Sequence, residues 1–202
     1  MRRAMSHLGC IRPANRVQLA LVIPLDDELA GEVTKLQVEI QRKYGRNPGL
    51  EAFPHITLKM GFGATDIAPF EKFARKLAAE VPPVEISVKD FDSFDDGILF
   101  LNVEPNATLE NLRQRILSEL SVDHGVRAEW VEGPQFRFHI TLAYGLSAHE
   151  FEELRSSYAT RETRFEFRAS HLDLFCYTGQ QWVSYAHAEL QGRPDSTQLR
   201  LP

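Results

Sequence analysis

The same four residues occur twice in this chain, as His55-Ile56-Thr57-Leu58 and, 84 residues later, as His139-Ile140-Thr141-Leu142. Seven His and nine Thr in 202 positions would give roughly 0.3 His-x-Thr matches by chance. Two copies that agree at all four positions form an internal repeat, and a repeat restricts the fold: one local structure must be built twice. Each copy alternates polar and apolar residues, the period of a strand with one face on a core. On such a strand His55 and Thr57 share one face, as do His139 and Thr141. Ile56, Leu58, Ile140 and Leu142 turn to the other. A one-residue slip would expose all four apolar side chains, so burial fixes the face on which the polar pairs lie.

The elements around the motifs repeat in the same order. Val17–Ile23 is a β-rich run ended by Pro24. Asp26 and Asp27 offer an N-cap and an acidic first turn to a helix bearing Leu29, Val33, Leu36 and Ile40. Tyr44–Gly49 closes it, and Phe53–Gly61 is the first motif strand. Pro69–Ala79 is a second helix, and Val84–Lys89 a half-buried strand. Ile98–Val103 then starts the order again. Asn106 or Thr108 caps a helix bearing Leu109, Leu112, Ile116, Leu117 and Leu120. The loop His124–Pro134 leads to the second motif strand, Gln135–Tyr144. Ser147–Tyr158 is a helix opened by a capping box, Ser147 to Glu150. Arg164–Cys176 is expected as one long strand, and Trp182–Glu189 as its hairpin partner after Thr178-Gly179.

No Pro/Gly/Ser linker separates the halves. The expected architecture is therefore α+β: two pseudo-symmetric lobes of mainly antiparallel sheet, with helices on the outer faces. The lobes are expected over about 17–92 and 93–190, between a basic tail at 1–16 and a polar tail at 191–202.

Composition narrows the function classes. The net charge is −5, and Arg2, Arg3, Arg12 and Arg16 precede the first acid, leaving −9 for the rest. So acidic a body is not a general nucleic-acid binder, which needs Lys and Arg against phosphates. Any phosphate site must draw on a local field. Two isolated cysteines, Cys10 and Cys176, fit a reducing cytoplasm better than a disulfide scaffold. There is no apolar run of about 18 residues to cross a membrane. The expected form is a cytoplasmic monomer.

Imidazoles titrate near neutral pH, and two in matched settings suggest a general acid and a general base. If a pseudo-twofold relates the halves, both polar faces meet in one cleft, with two His and two Thr about one small group. That set suits a phosphodiester. Thr hydroxyls bond non-bridging oxygens, one imidazole takes a proton from water, and the other protonates the leaving oxygen. No metal or other cofactor is needed, and two His fall short of a zinc site. Which histidine starts with the proton stays open, because the motifs are near-identical. Continued alternation adds Lys59 and Arg137 to the cleft face as phosphate-balancing charges, with Phe53 as a wall. His171 and His187 have no comparable frame and are expected to make local hydrogen bonds. Trp182 and Tyr177 are expected to pack at a hairpin end.

The paired His-x-Thr motifs, their spacing and the doubled element order resemble the 2H phosphoesterase superfamily, which includes 2'-5' RNA ligase-like proteins and cyclic phosphodiesterases. The resemblance covers roughly Val17 to Leu190. It implies a bilobal fold with a V-shaped cleft, and a hydrolase that cleaves 2',3'-cyclic phosphates or 2'-5' linkages without metal, as in RNA processing. The substrate would be a small cyclic nucleotide or an RNA end. It implies His55 and His139 as the acid–base pair and Thr57 and Thr141 as phosphate ligands. Some members use an Arg or Tyr five residues after the second His to bind substrate, which here is Tyr144. Simple alternation turns Tyr144 away from the cleft. The absence of Arg there weakens the alternative of a 2'-5' RNA ligase. A non-catalytic RNA-end or nucleotide binder is the other alternative.

Overall fold

The computed structural model describes residues 16–193. The basic segment 1–15 and residues 194–202 lie outside it. The chain runs β1 (Val17–Pro24), α1 (Asp27–Tyr44), β2 (His55–Ala64), α2 (Ala68–Glu80), β3 (Val84–Phe94), β4 (Ile98–Val103), α3 (Ala107–His124), β5 (His139–Ala143), α4 (Ala148–Tyr158), β6 (Arg164–Ala169), β7 (His171–Tyr177) and β8 (Trp182–Glu189). Short 3-10 turns at Pro48–Glu51 and Trp130–Glu132 precede the two motif strands.

Helices α1, α3 and α4 start at capping residues. Asp26 accepts from the Leu29 amide at 2.9 Å, and Asn106 from that of Leu109 at 3.0 Å. Both helices end on a glycine in the left-handed region, Gly45 at φ 80° and Gly125 at φ 65°, where a β-carbon would be strained. Ser147 and Glu150 form the capping box of α4.

The strands make two four-stranded antiparallel sheets, ordered β2-β1-β7-β8 and β5-β4-β3-β6. The motif strands are thus the edges of their sheets. One continuous apolar core backs both sheets and packs the helices on them; Leu21, Ile56, Leu58, Leu101, Ile140 and Leu142 are fully buried in it. This is the expected α+β bilobal architecture. Two details differ. The sheets do not follow consecutive halves of the chain, because β7 and β8 return to the first sheet. The run Arg164–Cys176 is not one strand either: it breaks at Ser170, with β6 in the second sheet and β7 in the first. The apolar parity changes at that point, from Phe165, Phe167 and Ala169 to Leu172 and Leu174, and this shift marks the break.

Each motif strand is interrupted at the same place. Leu21 pairs with Lys59 and Val22 with Thr57, which leaves Leu58 as an extra residue. Leu99 pairs with Ala143 and Phe100 with Thr141, which leaves Leu142 as its counterpart. Such bulges re-aim side chains and reverse the alternation that follows. Leu58 and Lys59 are accordingly both buried, as are Leu142 and Ala143.

Candidate active site

The four motif residues are half-buried while the residues between them are fully buried, so each His and Thr lies on the face away from the core. The two histidines are held alike. His55 Nδ1 donates to the Phe53 carbonyl at 2.7 Å, and His139 Nδ1 donates to the Arg137 carbonyl at 2.8 Å. A carbonyl only accepts, so Nδ1 carries a proton on both rings and Nε2 is left to titrate. Aromatic rings brace each imidazole. Phe175 meets His55 edge-on at 5.1 Å, and Phe94 and Phe100 pack on His139 at 5.1 and 5.2 Å.

Burial pushes both imidazoles below their ordinary value, and the carbonyl bonds partly offset this. A charge on His139 further opposes one on His55, so the two rings lie within electrostatic reach of each other. Their other neighbours differ in sign. Asp173 favours a charged His55, whereas Arg137 opposes a charged His139 and Asp96 favours it.

Arg137 stands beside His139, bonded to Asp92 at 2.6 Å and Asn102 at 3.2 Å, and over the Phe100 ring at 5.1 Å. Phe53 is exposed beside His55. Tyr144 is half-buried; its hydroxyl donates to the Pro48 carbonyl at 3.4 Å, and burial raises its pKa. Lys59 corrects the sequence reading. It is not on the cleft face but only 1% exposed, bonded to Glu132 at 2.8 Å. The bulge at Leu58 turns it there.

Alternation also missed the residues that hold the motif strands. The Gln37 amide of α1 donates to the Thr141 carbonyl at 3.0 Å, and Asn47 donates to the Leu142 carbonyl at 2.8 Å. Reciprocally, Glu132 accepts from the Met60 amide at 2.7 Å and from Lys59, and Arg113 of α3 donates to the Glu132 carbonyl. Each lobe therefore clamps the motif strand of the other.

A second polar group was also missed. Asp173 is 2% exposed on β7, and it accepts from Ser184 Oγ at 2.6 Å and His187 Nδ1 at 2.5 Å. His171 stacks on His187 with ring centroids 3.8 Å apart. Val22 pairs with both Thr57 and Asp173, just as Phe100 pairs with both Thr141 and Asp92. A carboxylate thus stands two strands in from each motif threonine, a symmetry that shows only once the registers are known.

The model of the 2'-5' RNA ligase superfamily matches residues 25–181. A protein of Geobacillus kaustophilus whose name suggests a phosphoesterase is 36% identical over 119 residues, covering 56% of this chain and 64% of the relative. A similarly named protein of Geobacillus thermodenitrificans is 33% identical over 119 residues, again with 64% of its length covered. The matched part thus falls short of two thirds of these relatives. Among solved structures, E. coli LigT complexed with 3'-AMP is similar in fold, with TM-score 0.61 and 16% identity over 88% of this chain and 99% of that one. A Thermus thermophilus protein gives TM-score 0.59 and 16% identity over 88% of this chain and 100% of its own.

Proposed function

The chain belongs to the 2'-5' RNA ligase superfamily, the 2H phosphoesterases, and on that premise we propose that it hydrolyses 2',3'-cyclic phosphates of nucleotides or RNA ends, or 2'-5' linkages. The observation that carries this reading is the matched pair of imidazoles. Both have Nδ1 tied to the carbonyl two residues back and Nε2 unengaged by that bond, with a threonine on the same face.

In this mechanism one neutral imidazole removes a proton from water through Nε2. The resulting hydroxide attacks phosphorus, the P–O bond to the 2'- or 3'-oxygen breaks, and the second imidazole gives that oxygen its Nε2 proton. Thr57 and Thr141 donate to the non-bridging oxygens, and Arg137 adds positive potential. Either imidazole can start as the base, because burial is the largest influence on both and lowers both. The scheme uses no metal; among the described residues no three His, Cys, Asp or Glu side chains are grouped to hold one.

The test is a panel of 2',3'-cyclic nucleotides and 2'-5' dinucleotides followed by phosphorus NMR, with His55→Ala and His139→Ala alongside. Loss of one acid–base group should cost about 10²–10⁴-fold in turnover. Wild-type rates in both variants would overturn the reading. Tight binding without product would point to a nucleotide binder, and joining of two RNA ends to a ligase. EDTA should leave the rate unchanged.

A further inference from the structure

Arg113 of α3 is 8% exposed, and among the described residues no carboxylate forms an ion pair with it. Its Nη2 donates to the backbone carbonyl of Glu132, its Nε is enclosed with no hydrogen-bond partner, and its Nη1 makes no bond. The guanidinium lies over the Phe136 ring, 3.7 Å from its centre. The Glu132 carboxylate is near but already taken. Lys59 donates to it at 2.8 Å, and the amides of Met60 and Glu129 each donate at 2.7 Å. One buried carboxylate thus faces two buried cations, which leaves a positive charge unmatched. Buried charges are otherwise paired, because an isolated one gives up its hydration without return. Arg113 shows that cost: burial pushes it below its ordinary value, and the charge of Glu132 offsets only part of this.

A cavity of about 190 Å³ opens beside this guanidinium. Glu110, Arg113 and Gln114 of α3 line it, with Phe136 and Phe138 from the segment that leads into β5. A cavity of roughly 150 Å³ accepts a benzene-sized molecule. This one therefore has room for a phosphate or a short carboxylate, but not for a nucleotide, which needs roughly 300 Å³ or more. No residue of either His-x-Thr motif lines it, so it stands apart from the candidate active site. The phenylalanine walls lower the local dielectric and strengthen an ionic contact. A guanidinium offers planar donors that match the oxygens of phosphate and carboxylate. Glu110 is the opposing charge of the lining; it is exposed and not paired with the guanidinium.

We propose that this cavity is a binding site for a small oxyanion, a phosphate or a carboxylate, held by Arg113. The anion supplies the negative charge missing from the cluster of Lys59, Glu132 and Arg113 that clamps β2, so its binding stabilises the fold. The inference does not depend on the phosphodiesterase reading. Inorganic phosphate and acetate are the probes, with chloride at equal ionic strength as the control. They are titrated into the full chain carrying Thr57→Ala and Thr141→Ala, which weakens phosphate binding at the motif site. The Arg113 Nε–H signal in nitrogen NMR should shift and saturate at low-millimolar phosphate or acetate, and the thermal midpoint should rise with it. Chloride should do neither. The tighter of the two probes shows whether the natural ligand carries a phosphate or a carboxylate. Two exposed positions tune the site without disturbing the core. Glu110→Gln should tighten binding about threefold and Gln114→Glu should weaken it about fivefold, because they remove and add a negative charge in the lining. Arg113→Met should abolish the midpoint response. If Arg113→Met does not fold, the two exposed variants decide alone. A shift that never saturates, equal affinities in the two exposed variants, or a midpoint response that survives Arg113→Met would overturn the proposal.

Discussion

Each motif imidazole keeps a proton on Nδ1, so its protonation state is decided at Nε2 alone. Burial lowers both below the ordinary 6.5, and catalysis needs one ring charged and one neutral. The kcat/KM profile should therefore be a bell centred on the acid side of about 6.5, with the two limbs belonging to the coupled pair. A bound phosphate anion favours the charged forms, so the kcat profile should lie at higher pH; superposed profiles would contradict this. Stability follows the same shifts. Below pH 6.5 the unfolded histidines take up protons before the folded ones do, so stability falls as pH drops through that window. Replacing both by Gln should flatten that slope, and urea midpoints measured from pH 7 to pH 5 would show it. The sequence showed which face His55, Thr57, His139 and Thr141 share, because apolar partners at strand spacing determine it. It did not show Lys59 leaving that face, since a bulge has no local signature. Nor did it show Asp173, whose bond to His187 depends on a hairpin register.

Between elements, the reciprocal clamps tie each motif strand to the other lobe. Glu132 and Lys59 form a buried ion pair, and removing one member leaves an uncompensated charge. Glu132→Ala should cost about 3–5 kcal/mol. Lys59→Met should cost less, because Glu132 keeps the amides of Met60 and Glu129. Urea titrations of the two variants give the comparison; a Lys59→Met cost equal to that of Glu132→Ala would contradict it. Asn47→Ala removes the donor to the Leu142 carbonyl and should cost about 1–3 kcal/mol. It should also lower kcat through Thr141, one residue away, without moving the pH limbs. The helices and their caps were legible, because Asp26, Asn106 and Ser147 act within three residues. The partners of Gln37 and Asn47 lie about a hundred residues away, beyond any local signal.

Across the whole molecule, two sheets share one core but do not divide the chain in the middle. The first sheet is half N-terminal and half C-terminal, with β7 and β8 closing it. Fragments 16–92 and 93–193 should each fail to give a cooperative thermal transition, since the first would lack two of its four strands. Sharp melting of either alone would contradict this. The repeat made a bilobal α+β form legible; the parity shift at Ser170-His171 marks the end of β6, but the return of β7 to the first sheet rests on pairing with β1, about 150 residues away, which no local pattern shows. Both motif strands are sheet edges, and an open edge is a template on which another chain can polymerise. Gln37, Asn47 and Glu132 occupy the outward carbonyls and amide of those edges. The side chains that hold the motif strands therefore also cover part of the open edges. Turbidity on mild heating of Gln37→Ala/Asn47→Ala should rise well below the unfolding midpoint, and clear solutions up to that midpoint would show that these edges need no cover.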